Sequence, residues 1–325
     1  MIAFILQRVF QGAVVVWLMS LIVFVGVYAI GDPVEILINP DADQATREAV
    51  ARAFGLDQPL YVQYLRFVGQ ALQGNLGTSF AFNIPAIELI LMRMPATLEL
   101  AFVATLMAIL IGIPLGLVAG LRGKTWYGRL IMSGSILCFS LPSFWVGLLL
   151  ILTFGVTLSW FPVYGRGETV NVLGMELSIF TLDGLRHIFL PALNLALFKV
   201  ALFIRLTRAG VREVLPQDYV RYARAMGVRP RRVLTRHVLK NIMIPIVTVI
   251  GIEFGSVIAF AVVTETIFNW PGMGKLIIES ISRLDRPVIV AYLMVIVTMF
   301  VVINLIVDLT YAALDPRVRL GGGSK

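Results

Sequence analysis

The sequence predicts an all-α integral membrane protein with six transmembrane helices, and two observations carry that prediction. Hydrophobic residues make up 58% of the 325 residues, charged residues only 14%, and the mean hydropathy is +0.89. A soluble domain carries about 25% charged residues, so this composition does not suit a water-exposed surface. Six apolar stretches also reach the ~20 residues that cross a bilayer. They lie at about 9–30, 97–121, 130–159, 188–210, 243–267 and 288–313.

Positive charges alternate between the predicted loops. Arg8 precedes the first span, Lys124 lies in the turn after the second, and Arg317 follows the sixth. The segment 211–241 after the fourth span is strongly basic, whereas 31–95 holds seven acidic residues and four arginines. Because basic loops stay on the cytoplasmic side, the sequence predicts both termini inside the cell. The net charge of +8 is thereby a topology signal, and we expect no nucleic-acid partner.

The alternation of spans and loops divides the chain into four parts. They are an N-terminal transmembrane helix over 1–30, an external segment over 31–95, a five-helix membrane core over 96–315 that includes a cytoplasmic loop at 211–241, and a cytoplasmic tail over 316–325. The apolar run from Val9 to Ile30 exceeds the 7–15 residues of a signal-peptide core. We therefore expect the first helix to be retained.

The external segment 31–95 contains three predicted short helices. Asp43 is placed to cap a helix that ends near Phe54, and Asp57 to cap a second that Gly74 terminates. The apolar stretch 85–94 is predicted as a third helix along the membrane surface. The segment is either a cap over the outer face or a docking platform for an external partner.

The cytoplasmic segment 211–241 has a pronounced local pattern. Pro216 breaks the preceding helix, Asp218 is placed to cap a helix over Tyr219–Met226, and Gly227 stands where a left-handed terminator belongs. Pro230 is placed at the first position of a further helix. A helix of about eight residues is shorter than the ~12–15 residues needed for marginal stability in water. It therefore needs a surface to pack on.

The predicted short helix carries an apolar stripe with basic residues beside it. The stripe is Tyr219, Tyr222, Ala223 and Met226, and the neighbouring arginines are Arg221 and Arg224. Two interpretations follow from this pattern. The stripe docks into a groove of a cytoplasmic partner, or the helix lies on the membrane with its arginines near lipid phosphates.

The same segment resembles a known loop. Asp218-Tyr219-Val220-Arg221-Tyr222-Ala223-Arg224-Ala225-Met226-Gly227 is similar to the Glu-Ala-Ala-x-x-x-Gly loop of permease subunits of binding-protein-dependent ABC importers. Arg221 departs from the acidic first position, as in the dipeptide/oligopeptide/nickel branch. Four further stretches resemble that branch. They are Pro95-Ala96-Thr97-Leu98-Glu99-Leu100, Glu265 to Gly274, Asp308-Leu309-Thr310-Tyr311 and Asp315-Pro316-Arg317-Val318-Arg319.

The resemblance covers nearly the whole chain, and the long outer segment is typical of the B-type subunit. It implies the type I ABC importer permease fold in the bacterial inner membrane, and a non-enzymatic subunit that serves di- or oligopeptides, with nickel chelates, opines and glutathione left open. The implied partners are a homologous C-type permease, two cytoplasmic ATPases that hold ATP and Mg, an external binding protein and membrane lipid. The implied ATPase-coupling residues are Asp218, Tyr219, Arg221, Tyr222, Ala223, Arg224, Ala225, Met226 and Gly227.

One stretch imitates a nucleotide-binding motif. Gly123-Lys124-Thr125 has the ending of a P-loop, but the position that requires the first glycine is Val118. We therefore expect a turn between spans, and no cofactor bound by this chain.

Two ionisable residues lie well inside the fourth and fifth predicted spans. Lys199 and Glu253 are candidates for the translocation path, since charged groups in a bilayer normally face the protein interior or a wet cavity. Lys199 has the alternative of extending towards the interface. A proton-coupled secondary transporter that uses Glu253 is a second functional hypothesis, and a membrane scaffold is a third.

Three glycines recur at intervals of four residues in the second predicted span. Gly112, Gly116 and Gly120 form this ladder. Such ladders permit close helix packing, either within the chain or between subunits.

Overall fold

The protein is all-helical apart from one small hairpin in the part of the chain that the structure, a computed structural model, describes: residues 2–29, 44, 45, 52 and 57–314. The helices are α1 (Ile2–Ala29), α2 (Leu60–Leu72), α3 (Ala86–Leu121), α4 (Trp126–Ser140), α5 (Ser143–Leu150), α6 (Leu182–Val214), α7 (Asp218–Ala225), α8 (Pro230–Arg232), α9 (Lys240–Phe260), α10 (Val262–Ile267), α11 (Met273–Ser282) and α12 (Arg286–Leu314). Helix α5 continues as a π-helix over Ile151–Thr157, and α8 continues as a π-helix over Val233–Leu239.

Within the described residues, four single helices are long and apolar enough to span a membrane. They are Ile5–Gly26, Ala86–Leu121, Leu182–Val214 and Arg286–Thr310. Two bent pairs pass the same criterion together, Trp126–Ser140 with Ser143–Thr157 and Pro230–Met243 with Pro245–Phe260. The predicted helical membrane class is confirmed. The six predicted spans correspond to these four helices and two bent pairs, and the predicted N-in/C-in sidedness stays a prediction.

The third predicted span, 130–159, is broken. Helices α4 and α5 meet at an angle of 105°, and the break lies at Leu141 and Pro142, which both have extended backbone with ψ of 139° and 134°. A proline lacks the amide donor, and its ring clashes with the preceding turn of a helix. The sequence pattern therefore misses a bend that the backbone chemistry of Pro142 permits.

The separate surface helix predicted over 85–94 is wrong. Helix α3 runs unbroken for 36 residues with Pro95 and Pro114 inside it. Its first turns are already buried, with Ala86 and Ile90 both at 0% exposure. Packing along this face offsets the lost hydrogen bond at Pro95.

Helix α2 starts later than predicted. Its N-cap is Pro59, which makes no side-chain cap hydrogen bond, so the predicted capping role of Asp57 is wrong. The left-handed terminator at Gly74 is confirmed by its φ of +79°. Of the helix predicted from Asp43 to Phe54, only residues 44, 45 and 52 are described, and these three are helical. The rest of the predicted helix lies outside the described residues.

The described chain forms two compact units, one of residues 2–93 and 276–302 and the other of 94–275 and 303–314. In the first, Phe24 of α1 packs edge-on against Tyr64 of α2, with ring centroids 5.4 Å apart. Asp285 accepts a hydrogen bond of 2.5 Å from the Ser79 hydroxyl and further bonds from the Phe80 and Ala81 amides. These contacts fasten the loop before α3 to the start of α12.

The second unit is built around α3 and α6, which touch along the glycine ladder. A Cβ atom added at Gly116 would lie 2.6 Å from Thr207 Cβ and 2.8 Å from the Ile204 carbonyl oxygen. Added Cβ atoms at Gly112 and Gly120 would each lie 2.7 Å from a Cβ atom of α6. The ladder therefore packs within the chain.

A two-stranded antiparallel hairpin precedes α6. Its strands are Val170–Val172 (β1) and Met175–Leu177 (β2), with Val172 opposite Met175. Leu173 and Gly174 both have positive φ, as a two-residue hairpin turn requires. This hairpin was not predicted from the sequence.

Candidate functional site

Helix α7 is an isolated short helix with an exposed N-terminus. It begins at Asp218, and its N-cap is Gln217, which has extended backbone and forms no side-chain cap bond. The predicted capping role of Asp218 is therefore wrong. Its carboxylate lies in the first turn, fully exposed and 4.0 Å from Arg221, where it favours the helix through the macrodipole rather than through a cap.

The C-terminus of α7 is closed by Gly227. This residue has φ of +75°, so the predicted left-handed terminator is confirmed. The Val228 amide donates to the Ala223 carbonyl at 3.1 Å, and the Gly227 amide donates to Arg224 at 3.0 Å. These two bonds form a Schellman motif. The chain then turns back at α8, whose first residue is Pro230, as predicted.

The two faces of α7 differ in their surroundings. Val220 and Ala223 are buried and pack with Val233 of the following π-helix. Tyr222 and Met226 are 67% and 66% exposed. The predicted stripe is therefore divided, because Ala223 faces the chain's own core while the larger residues face outwards.

Tyr219 occupies the edge between these faces. Its hydroxyl accepts a hydrogen bond of 2.8 Å from Asn241 Nδ2 at the start of α9. This bond and the apolar contacts of Val220 tie α7 to the segment that leads into the next span.

Lys199 and Glu253 meet in the interior of the second unit. Their side chains form an ion pair, and both are only about one-fifth exposed. Lys199 also donates to the Ser256 hydroxyl at 3.2 Å. The pair borders a cavity of about 500 Å³ lined by α4, α5, α6, α9 and α10.

Three further polar residues line this cavity, Asn194, Arg205 and Ser256, and the sequence pattern did not identify them as cavity residues. The Arg205 guanidinium lies 4.6 Å from the ring centroid of Phe139. Asn194 is fully buried and donates to Thr264 at 2.9 Å, while its carbonyl oxygen has no partner in the structure. Ser256 lies three residues after Glu253, so helical periodicity could have identified it.

Two of the motifs that carry the resemblance meet in the structure. The Trp270 indole donates to the Ala96 carbonyl at 2.8 Å. Thr97 donates to Glu265 Oε1 at 2.7 Å and accepts from the Met273 amide at 2.8 Å. Both stretches are therefore parts of one buried network at the start of α11.

Glu265 is the centre of that network. It is fully buried on α10, beyond the candidate span that ends at Phe260. Its Oε2 accepts from the Lys275 amide at 2.9 Å. Burial raises the pKa of the Glu265 carboxyl, and the hydrogen bonds from Thr97 and from the amides of Lys275 and Gly274 oppose that shift.

Glu99, which belongs to the same stretch of α3 as Ala96 and Thr97, forms a second buried carboxylate site. It pairs with Arg166 at 2.5 Å and accepts two bonds of 2.9 Å from Ser178, one from the amide and one from the hydroxyl. Arg166 and Ser178 flank the hairpin, so their three bonds to Glu99 hold the hairpin region against α3. This site is structural support for the core.

Comparisons with known families identify the class of chain. The model described as "Binding-protein-dependent transport system inner membrane component" matches residues 112–320. The model described as "Binding-prot-dependent transport system membrane comp, N-term" matches residues 1–101.

Curated relatives match over almost the full length. The oligopeptide transport system permease protein AppB of Bacillus subtilis (strain 168) is 40% identical and covers 98% of this chain and 100% of that protein. The di/tripeptide transport system permease protein DppB of Pseudomonas aeruginosa (strain UCBPP-PA14) is 41% identical, over 89% of this chain and 90% of that protein. The glutathione transport system permease protein GsiC of Escherichia coli (strain K12) is 35% identical, with coverage of 98% and 99%.

A solved structure shares the fold. It is the MetNI methionine ABC transporter in inward-facing conformations, with a TM-score of 0.54 and 14% sequence identity. The match covers 70% of this chain and 96% of that chain.

Proposed function

The chain belongs to the family of inner-membrane components of binding-protein-dependent transport systems, and from that membership we propose that it forms half of the translocation pathway of an ATP-driven importer for di- or oligopeptides or similar small solutes. It is a multi-pass, non-catalytic permease subunit of the bacterial inner membrane. The peptide class is supported by the relatives, which are named as permeases for oligopeptides, di/tripeptides and glutathione. Family membership sets aside the secondary-transporter and scaffold hypotheses.

The partners follow from the same membership. A permease of this kind works within an ABC transporter complex. The proposed partners of this chain are a homologous C-type permease, two cytoplasmic ATPases and an external binding protein. ATP and Mg belong to the ATPases, and this chain binds no nucleotide itself. In support, Thr125 of the P-loop-like stretch is the N-cap of α4, where its side chain accepts from the Gly128 amide.

Helix α7 is the proposed contact with the ATPases. Support comes from its division into a buried face at Val220 and Ala223 and an exposed face at Tyr222 and Met226. The buried face fixes α7 to its own chain, and the exposed aromatic and thioether side chains are suited to a partner's groove. The surrounding arginines, Arg221 and Arg224, are exposed. The proposed contact with a partner therefore rests on the exposed Tyr222 and Met226 side chains.

Movement of α7 is the proposed link to the translocation path. The Tyr219–Asn241 bond connects α7 to α9, and α9 carries Glu253 of the cavity that Lys199 also lines. ATP-driven closure of the ATPases would displace α7 and thereby α9, which switches access to the path.

Reconstitution tests the proposal. The chain is co-expressed with a C-type permease, two ATPases and a binding protein from the same organism, and the purified complex is placed in vesicles. We expect ATP-dependent uptake of a labelled dipeptide that requires the binding protein. Uptake driven by a proton gradient without ATP would contradict the proposal.

Labelling of single cysteines at positions 43 and 231 tests the proposed N-in/C-in topology, and reaction from the same side would contradict it.

A further inference from the structure

The cavity beside Lys199 has an uneven charge inventory. It is lined by two cations, Lys199 and Arg205, and one anion, Glu253. Among the residues that the structure describes, no hydrogen bond or ion pair is formed by the Arg205 guanidinium, which lies over the Phe139 ring. The remaining lining is largely apolar, contributed by Leu195, Phe198, Leu202 and other residues. The volume of about 500 Å³ falls in the ordinary range of small-molecule sites.

We propose that this cavity binds a zwitterionic solute of dipeptide to tripeptide length, with its ammonium group on Glu253 and its carboxylate on Arg205 and Lys199. The proposal rests on the proposed function, because it names where and how the permease itself contacts its substrate.

The need to keep both buried charges paired favours a zwitterion over a singly charged solute. The Lys199–Glu253 ion pair is four-fifths buried, and separating a buried pair without new partners is strongly unfavourable. A zwitterion replaces the internal pair with two external pairs, so neither buried charge loses a partner. A purely anionic solute would leave Glu253 unpaired if it displaced Glu253 from Lys199. A purely cationic solute that displaced Lys199 from Glu253 would leave Lys199 unpaired.

The spacing of the charges favours a short peptide. Lys199 and Arg205 are six residues apart on α6, which is about 9 Å along a helix axis. An extended dipeptide spans at most about 7 Å and a tripeptide about 11 Å. The ammonium end can therefore lie on Glu253 while the carboxylate end lies between the guanidinium of Arg205 and the Lys199 ammonium, which has left Glu253.

An unsatisfied acceptor supplies a second observation. Asn194 lines the same cavity, and its buried carbonyl oxygen accepts no hydrogen bond from any residue that the structure describes. Buried polar atoms without partners are rare because each carries a desolvation cost. An amide N–H of a bound peptide would supply the donor that this oxygen lacks once the Asn194 side chain turns the oxygen toward the cavity.

The test measures occupancy of the cavity directly. Cys138 is replaced by Ala, and Leu202→Cys introduces one thiol into the cavity lining of the assembled importer. Labelling of that thiol by a small thiosulfonate reagent is followed without ATP or binding protein. The probes are alanyl-alanine, its N-acetyl derivative, which lacks the ammonium, and its amide, which lacks the carboxylate.

We expect alanyl-alanine to protect the thiol at concentrations at least about tenfold lower than either derivative. Glu253→Gln frees Lys199, so the N-acetyl anion should become the best protector. Lys199→Gln frees Glu253, so the amide cation should gain in the same way. A general loss of structure would not make one variant prefer the anionic probe and the other variant prefer the cationic probe. Glu168→Gln and Lys124→Gln make the same changes at exposed positions and should keep the original order.

The inference is overturned if alanyl-alanine gives no protection, or if the order of the three probes is the same in wild type and both cavity variants. Protection without ATP-dependent uptake would instead contradict the proposed function. Uptake without protection would overturn the inference alone. Co-purification of the partner subunits with each variant establishes that the compared proteins are assembled.

Discussion

The hydroxyl of Thr97 joins two parts of the chain that are 168 residues apart, because it donates a hydrogen bond of 2.7 Å to Glu265. The same oxygen accepts a bond from the Met273 amide. One side chain therefore ties α3 to α10 and to the first turn of α11. The start of α11 has amides without partners in its own helix, and Glu265 satisfies one of them at Lys275.

Thr97→Val tests the contribution of this network to stability. Valine has nearly the same shape, but it removes one donor to the buried Glu265 carboxylate and the acceptor of the Met273 amide. We expect a loss of about 1–3 kcal/mol, measured as a lower thermal midpoint of the purified chain in detergent. Thr266→Val is the matched control, since the Thr266 hydroxyl is exposed and bonds only its own helix at Val262. An equal loss in both variants would contradict this role.

The glycine ladder gives a second stability prediction. Gly116→Ala places a methyl group 2.6 Å from Thr207 Cβ, so α3 and α6 must separate. We expect a cost of about 1–3 kcal/mol from overpacking. Gly134→Ala is the control, because its added Cβ meets nothing within 4 Å and alanine favours a helix over glycine. If Gly116→Ala proves as stable as Gly134→Ala, the close packing of α3 on α6 is not required.

The sequence predicts the spans but not every break in them. Composition and length identify the membrane helices, since both follow from the apolar residues alone. The positions of the prolines do not in the same way identify where the helices bend. Pro95, Pro114 and Pro191 lie inside continuous helices, whereas Pro142 accompanies a bend of 105°. The residue type is the same in each case, and the tertiary packing that decides between these outcomes is not written in the local pattern.

The candidate sites show the same division between local and distant information. Gly227 could be placed from its local context, because a short helix followed by glycine is a strong terminator signal. The predicted capping role of Asp218 is wrong because Gln217, which follows Pro216, takes the cap position with extended backbone. The contacts of Thr97 with Glu265, and of Asn194 with Thr264, join distant segments. No periodicity in the sequence predicts them.

Tyr222→Ala tests the exposed face of α7. The side chain is 67% exposed, so its removal should change the stability of the chain by no more than about 0.5 kcal/mol. Co-purification of the ATPases should nevertheless fall, by about tenfold or more if Tyr222 is an interface anchor. Asp218→Ala is the control on the same helix. Its fully exposed carboxylate forms no cap bond, and we expect a smaller effect on association. Loss of association only with Asp218→Ala would contradict the docking role of the aromatic face.

Gly227→Val is expected to be the most damaging single change in the coupling segment. Gly227 has φ of +75°, and a Cβ atom there would meet nothing within 4 Å, so any effect comes from the backbone and not from a clash. A left-handed conformation costs an ordinary residue about 1–2 kcal/mol, and a β-branched side chain is a genuine outlier there. The Schellman bonds of Gly227 and Val228 should open, and the chain would leave α7 in a different direction.

Gly227→Asn is the matched control, because asparagine tolerates this conformation. We expect Gly227→Val to abolish ATPase co-purification and coupled uptake in vesicles, with Gly227→Asn retaining most of both. Lys199→Ala, inside a span, should leave association intact. Full association and uptake with Gly227→Val would show that α7 is not the docking element, and the membrane surface would then be the better assignment for this helix.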